Sequence, residues 1–378
     1  MEESVTHPQP FPIGEFRSRL AALRAVMAER QVDFLIVDQF EHVKYFGGHW
    51  PTAAMYQALL IPLDSEPVAV IRALDAAVFS EMSWLTDYVA IGDSDNPLKV
   101  VADTILARGH GASAVGLERD SHFLTVNRAL ELQTLLPGAK MVDFSGIMWE
   151  MRQVKSPLEL ACLEVAAEIC DRAAAEGLSA ALAGVNEREV LAAITVEALR
   201  SGADNAGLGV VVSGPRSAAL HGELGHRTLA KGDILHIEMV PQFRGYGSRI
   251  MRPKSIGEPT DEQIQTAETM IRIQEEQFHA MKPGAEAKEV DRILREGILA
   301  AGLRDSYTNV TGYTLGLLSV PRGTDFTRAF LADSEWQLQQ NQVFHMYTWA
   351  GGMAFSETVV VKSEGGKRLT KMDRRLFY

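Results

Sequence analysis

The stretch HGELGHRTLAKGDILHIEMVPQFRGYGSRIMR, residues 221–252, decides how the rest of the chain is read. Lys231-Gly232-Asp233 is a turn signal, Ile234-Leu235-His236-Ile237 is a β-rich run, and Glu238 closes it. A carboxylate leaving a strand beside the turn Gly245-Tyr246-Gly247 either sits in solvent on an edge strand or loses its hydration. In the second case it needs a partner or a substrate. Three later segments also put polar side chains at strand ends and glycine turns: Tyr313 in TGYTLG (311–316), His345 and Tyr347 in FHMY (344–347), and Glu357 in FSET (355–358). Singly, each reads as an ordinary core or surface group; a buried tyrosine, for example, usually has a bonded hydroxyl.

With 378 residues the chain exceeds a usual single domain, so two domains are expected, each able to bury a core. A hydrophobic fraction of 46% against 23% charged residues belongs to a globular protein. The 49 acidic and 37 basic residues give a net charge of −12 with no compensating basic run, which argues against a nucleic-acid partner. Cys162 and Cys170 lie in one helical segment at a spacing that does not favour pairing, so a reducing compartment is expected. No leader pattern and no run of apolar residues long enough to span a bilayer occurs, and the expected location is cytoplasmic, away from membranes.

The first part mixes strands and helices. Glu15 to Arg30 carries Phe16, Leu20, Leu23 and Met27 at helical spacing, before a buried strand at Val32 to Val37. Val43 to Phe46 leads into Gly47-Gly48-His49-Trp50-Pro51, a turn that exposes Trp50 or anchors it locally. Ala58 to Pro62 and Val68 to Ile71 form a hairpin pair. Helices are expected at Asn96 to Arg108 and Val126 to Leu136, with a strand at Ala114 to Leu117 between them. No glycine-rich phosphate loop joins a strand to a helix. Ser156-Pro157-Leu158-Glu159 then supplies an N-cap, a proline at the first helical position and a capping-box acid. The domain boundary is placed there, giving units 1–154 and 155–378. Further helices are expected at Leu160 to Leu182, Glu187 to Ser201, Thr260 to Met281 and Ala287 to Ala301. With strands at Val343 to Tyr347 and Thr358 to Val361, the fold class is α+β: a mixed first domain and a second of helices covering a curved antiparallel sheet. No repeat is visible in the residues themselves.

Taken together, the hinge KSPLEL, the segment from His221 through GDILHIE to Gly245-Tyr246, the GYTLG turn, the VFHMY strand and the SETVVV ending resemble the creatinase, prolidase, aminopeptidase P and methionine aminopeptidase superfamily. That resemblance spans nearly the whole chain and implies the pita-bread fold. Peptidases of the superfamily hold two divalent ions with two Asp, one His and two Glu. Laid on this sequence, those positions become Glu238, Arg249, Tyr313, Tyr347 and a retained Glu357. Arg249 sets a permanent cation where a cation was bound, so the reading expects no catalytic metal and no cofactor.

The resemblance then points to the metal-free members, ectoine hydrolase above creatinase, and to cleavage of a non-peptide C–N bond in a small zwitterionic, carboxylated amidine or amide. In this reading His221, Glu238 and Glu357 are catalytic: His221 shuttles a proton, Glu238 attacks or activates water, and Glu357 holds cationic ring nitrogens. Tyr313 and Tyr347 donate to oxygen. Arg249 or Arg252 grips a carboxylate, Arg249 pairing with Glu238 being the alternative. Trp50, Tyr246 and His345 complete the substrate-binding set. Arg322 and Arg328 lie in the segment that shapes the pocket in relatives. A homodimer is expected, in which the first domain of one copy, through Trp50, reaches the partner's site. The competing readings are a metal-dependent Xaa-Pro dipeptidase and a non-catalytic ligand-binding protein of the same fold.

Overall fold

A computed structural model describes residues 11–205, 209–319, 324 and 327–378. The chain divides into two compact units, Met1–Met151 and Arg152–Tyr378, against the 154/155 boundary read from sequence. Arg322 lies outside the described residues.

The first unit runs α1 (Ile13–Glu29), β1 (Phe34–Val37), α2 (Phe40–Gly47), β2 (Ala58–Pro62), β3 (Val68–Arg72), α3 (Ala76–Met82), β4 (Tyr88–Ile91), α4 (Pro97–Ala107), β5 (Ala114–Leu117), α5 (Val126–Leu135), β6 (Lys140–Asp143) and α6 (Ile147–Met151). Its six-stranded sheet has the order β4-β3-β2-β1-β5-β6. The β1-β2-β3 part is antiparallel, while β4, β5 and β6 each add in parallel. Phe34, Ile36, Leu60, Val70, Val101, Ile105 and Leu132 share its core. The Asn96 side chain accepts from the Leu98 and Lys99 amides and starts α4. Val43 to Phe46, ahead of two glycines, is helical: α2 ends on Gly48 at φ 85°, a left-handed cap that glycine adopts without a Cβ clash.

Asp38, directly after β1, is buried. Burial pushes its carboxyl up to about 7; the Ser121 and Tyr56 hydroxyls offset part of the shift and Glu118 adds to it. Glu118 in turn lies 2.8 Å from Nδ1 of His42, with both side chains buried.

The first helix of the second unit begins where the sequence reading expects it. Ser156 and Glu159 form the capping box of α7 (Pro157–Ala180), with Pro157 at its first turn. There follow α8 (Glu187–Arg200), β7 (Gly209–Ser213), β8 (Ile234–Met239), β9 (Gln242–Phe243), β10 (Tyr246–Gly247), β11 (Ile250–Ser255), α9 (Asp261–Ala280), α10 (Ala287–Ala300), β12 (Gly312–Thr314), β13 (Ala329–Phe330), β14 (Val343–Ala350), β15 (Met353–Lys362) and β16 (Gly365–Arg368). One antiparallel sheet in the order β13-β12-β14-β15-β11-β8-β7, with β16 on β15, carries the helices. This is the pita-bread architecture. Residues 171–190 and 271–290 have the same succession of buried, half-buried and exposed positions, and α7-α8 and α9-α10 begin their second helices at Glu187 and Ala287. The domain therefore contains a structural repeat that residue identities hide. Cys162 and Cys170 are free and buried. Among the described residues no helix is long and apolar enough to cross a membrane.

A test follows from Asp38. An acid whose folded pKa lies above its unfolded value binds an extra proton in the native state, so its contribution to stability falls as pH rises from about 4 to about 7. Asp38→Asn should therefore gain on the natural protein across that window, by roughly 3–4 kcal/mol at its upper end, and no further above it. Unfolding followed from pH 4 to pH 8 checks this; a constant difference between the two proteins would show that Asp38 does not titrate there.

Candidate functional site

Glu238 lies on β8, between β7 and β11 in the interior of the sheet, and is 1% exposed. It is not a solvated edge residue. Side chains of directly paired residues project from the same sheet face, so register fixes what Glu238 meets. One row across the strands is Val210, Glu238, Met251, Ser356 and Tyr347. A parallel row contains Tyr313, His345 and Thr358. Gly312 sits beside Tyr313 because a Cβ there would collide with the Met346 sulfur.

Arg249 enters this face from the two-residue link between β10 and β11. Its backbone amide donates to Thr358 Oγ1 at 2.8 Å, and Thr358 Oγ1 is also 2.8 Å from Ser248 Oγ. The Arg249 Nε donates to Glu238 Oε1 and its Nη1 donates to the Tyr313 hydroxyl. Burial works against the guanidinium charge, but Glu238, Tyr313 and Tyr347 outweigh it, and Arg249 is held above its ordinary value. The Tyr347 hydroxyl accepts from Asn309 Nδ2 at 3.0 Å. Burial raises both phenols, so each remains a proton donor at neutral pH.

Above this floor is a cavity of about 700 Å³. Its lining includes His221, Glu238, Arg249, Tyr313 and Tyr347, so five of the residues picked from sequence meet there. Arg304, Asn309 and Trp349, which no motif marks, line it as well. One carboxylate oxygen, Glu238 Oε2, is buried without a hydrogen-bond partner.

The remaining candidates are elsewhere. Glu357 pairs with Met346 rather than Tyr347, so it projects from the opposite face. There Arg252 Nη2 donates to it at 2.8 Å, Thr370 donates its hydroxyl, and Arg368 and Arg374 each stand 3.5 Å away. Arg252 also donates to the carbonyls of Met251, Ser356, Met372 and Asp373. Both residues thus hold the C-terminal segment to the sheet, and neither reaches the cavity. The sequence reading chose the wrong member of the Ser356-Glu357 pair: Ser356 faces Tyr347.

Tyr246 is buried, and its hydroxyl donates to Glu159 at 3.0 Å, tying β10 to the start of α7. His345 shares the face of Tyr313 and Tyr347 but is fully buried, stacked on Tyr347 at 5.3 Å and 9°, and is not among the cavity-lining residues. Burial and the nearby Arg249 cation push its imidazole well below the usual range. His236 is likewise pushed down, to about 4, mainly by burial. Trp50 belongs to the first unit, where it is half-buried with the Lys44 ammonium 6.0 Å from its ring.

Residues 161–363 match the model of metallopeptidase family M24, and residues 19–154 match the creatinase/prolidase N-terminal domain. The chain belongs to family M24. It is 28% identical to an uncharacterized hydrolase/peptidase of Sinorhizobium fredii, with 98% of each chain covered. It is 26% identical to the Xaa-Pro dipeptidase of Pyrococcus furiosus, over 95% of this chain and 99% of that one. The fold matches the X-Pro aminopeptidase of Thermotoga maritima with a TM-score of 0.83 at 23% identity, covering 95% of this chain and 99% of that chain.

These relatives overturn the expectation of an ectoine-hydrolase-like or creatinase-like enzyme cleaving a non-peptide C–N bond without metal. The relatives include Xaa-Pro dipeptidases and a probable dipeptidase, and the matched family is one of metallopeptidases. The residues at this site nevertheless do not fit a dinuclear centre of the superfamily type. Among the described residues the face offers one carboxylate, Glu238, already paired with a guanidinium; phenols and a serine hydroxyl occupy the neighbouring positions. Among the described residues no group of three His, Cys, Asp or Glu side chains is arranged to hold a metal ion.

Removing one partner from a buried, hydrogen-bonded ion network leaves the others unpaired. Glu357→Gln should therefore lower stability by roughly 3 kcal/mol, while the affinity of any cavity ligand changes less than about twofold, because no atom of Glu357 faces that side. Paired denaturation and binding titrations check both halves; a large loss of affinity at unchanged stability would return Glu357 to the site.

Proposed function

We propose that this M24 chain is directed at small peptides of the Xaa-Pro class, which bind in the cavity above Glu238 and Arg249. The observation that carries the reading is the cavity itself: about 700 Å³, suited to a dipeptide, with charged groups at its floor and Leu220, Val240, Met251, Val310 and Trp349 on its walls. Apolar walls suit a prolyl ring. The free oxygen of Glu238 is an acceptor for a peptide ammonium, and Arg249 with the phenols of Tyr313 and Tyr347 supplies donors for a carbonyl oxygen. His221 is a proton carrier at the rim. The Xaa-Pro dipeptidase names among the relatives support the same substrate class.

A second reading, binding of such peptides without cleavage, is favoured by one observation: Arg249 bonded to Glu238 and Tyr313 in positions where superfamily peptidases place metal ligands. Incubation with Ala-Pro and Gly-Pro, with Mn²⁺, Co²⁺ or Zn²⁺ and with chelator, separates the two. Proline release supports a dipeptidase. A rise in melting temperature without release supports the binding protein. If neither occurs with any Xaa-Pro peptide, both readings are withdrawn.

We also place the protein in the cytoplasm as a homodimer whose Trp50 reaches the partner's cavity. The free thiols and the position of Trp50 after the Gly48 cap support this. Sedimentation at micromolar concentration should give a dimer, and Trp50→Ala should weaken peptide binding; a monomer, or an unaltered affinity, would remove the idea.

A further inference from the structure

We propose that Arg304 is the specificity-determining residue of the cavity, a fixed clamp for a ligand carboxylate. The inference rests on the small-peptide reading for its substrate and deepens it: the ligand presents a free C-terminal carboxylate to Arg304 while its ammonium end lies toward Glu238.

Arg304 follows α10 in the chain and lines the cavity wall. Its guanidinium lies between two aromatic rings, 4.0 Å from the Tyr307 centroid and 4.2 Å from that of Trp349. Nη1 and Nη2 both donate to the amide oxygen of Asn309, at 3.1 and 3.2 Å. Asn309 in turn donates to the Tyr347 hydroxyl on the cavity floor. The side chain is thus held flat and in place before any ligand arrives.

Charge balance distinguishes Arg304 from the site's other cation. Arg249 is neutralised by Glu238. Arg304 pairs with no carboxylate among the described residues; its bonded partner is a neutral amide. A guanidinium fork with spare donors, oriented by stacking, matches a carboxylate in two-point geometry. At the floor, Glu238 Oε2 is buried and unpartnered, an acceptor that a cationic group completes. An uncompensated cation on the wall and an unfilled acceptor on the floor describe a zwitterion with separated ends, as in a dipeptide.

Calorimetric titration of the full chain with Ala-Pro, with its C-terminal amide and with N-acetyl-proline tests the assignment. The natural protein should bind Ala-Pro at least roughly tenfold more tightly than the amide, because a charge-assisted pair is lost with the carboxylate. Arg304→Gln should erase that discrimination, and Arg304→Lys, which keeps the charge but not the planar fork, should restore part of it. Where turnover is measurable, the loss should fall on KM more than on kcat. Discrimination that persists in Arg304→Gln, or is missing from the natural protein, overturns the proposal. If no Xaa-Pro dipeptide binds, the substrate reading fails by itself: N-acetyl-proline affinity that vanishes in Arg304→Gln still supports the clamp, and no affinity for that probe removes it.

Discussion

A carboxylate withdrawn from water in the interior of a sheet demands a counter-charge, and at Glu238 that charge is Arg249, which meets it from the link between β10 and β11. Much of the floor's electrostatics follows from the pair. A buried imidazole beside several carboxylates gains a proton; here His345, beside the Arg249 cation and burial alone, is driven the other way. At His236 the two charges oppose one another, Glu238 raising and Arg249 lowering the imidazole, and burial settles the balance downward. Arg249 also fixes the Tyr313 hydroxyl by donating to it.

One sheet carries two charge systems, and its alternation keeps them apart. On the cavity face Glu238 meets Arg249; on the helix face Glu357 meets Arg252, Arg368 and Arg374. The second system is structural in the strict sense that its donors end on backbone carbonyls of residues 372 and 373, tying the C-terminal segment across β11 and β15. Backbone and side chains one layer thick separate a site that must accept a ligand from a network that must not move.

Local signals made much of the fold legible. The capping box at Ser156, the Asn96 cap and the apolar spacing of α1 each fall where the helices begin. Short strands were harder. β4 alternates over only four residues, and β6 runs exposed, half-buried, half-buried, exposed, so neither carries a period long enough to read. Val43 to Phe46 carries residues that favour strands, yet tertiary burial and the Gly48 cap make it helical. The repeat escaped because burial recurs at a fixed spacing while residue types do not. For the site, the superfamily resemblance laid on the chain selects His221, Glu238, Arg249, Tyr313 and Tyr347, which line one cavity, but a shift of one residue in the Ser356-Glu357 pair reverses the face. Arg304 carried no signal at all, since its role depends on Tyr307 and Trp349, one of them on a distant strand.

Arg249 and Arg304, the two guanidiniums of the cavity among the described residues, illustrate why equal charges do unequal work. Arg249 is nearly buried and locked to Glu238, so any ligand that displaced it would have to replace an ion pair in a low-dielectric setting. It acts as part of the floor. Arg304 is half-buried, stacked on aromatic faces and bonded to an amide, so a carboxylate can approach without breaking a pair of opposite charges. Its ordering is already complete, and that lowers the entropic cost of binding a small anion group. Within a chain of net charge −12, such a cation also makes the cavity a local exception to a repelling surface, which draws a ligand's carboxylate inward before any contact forms.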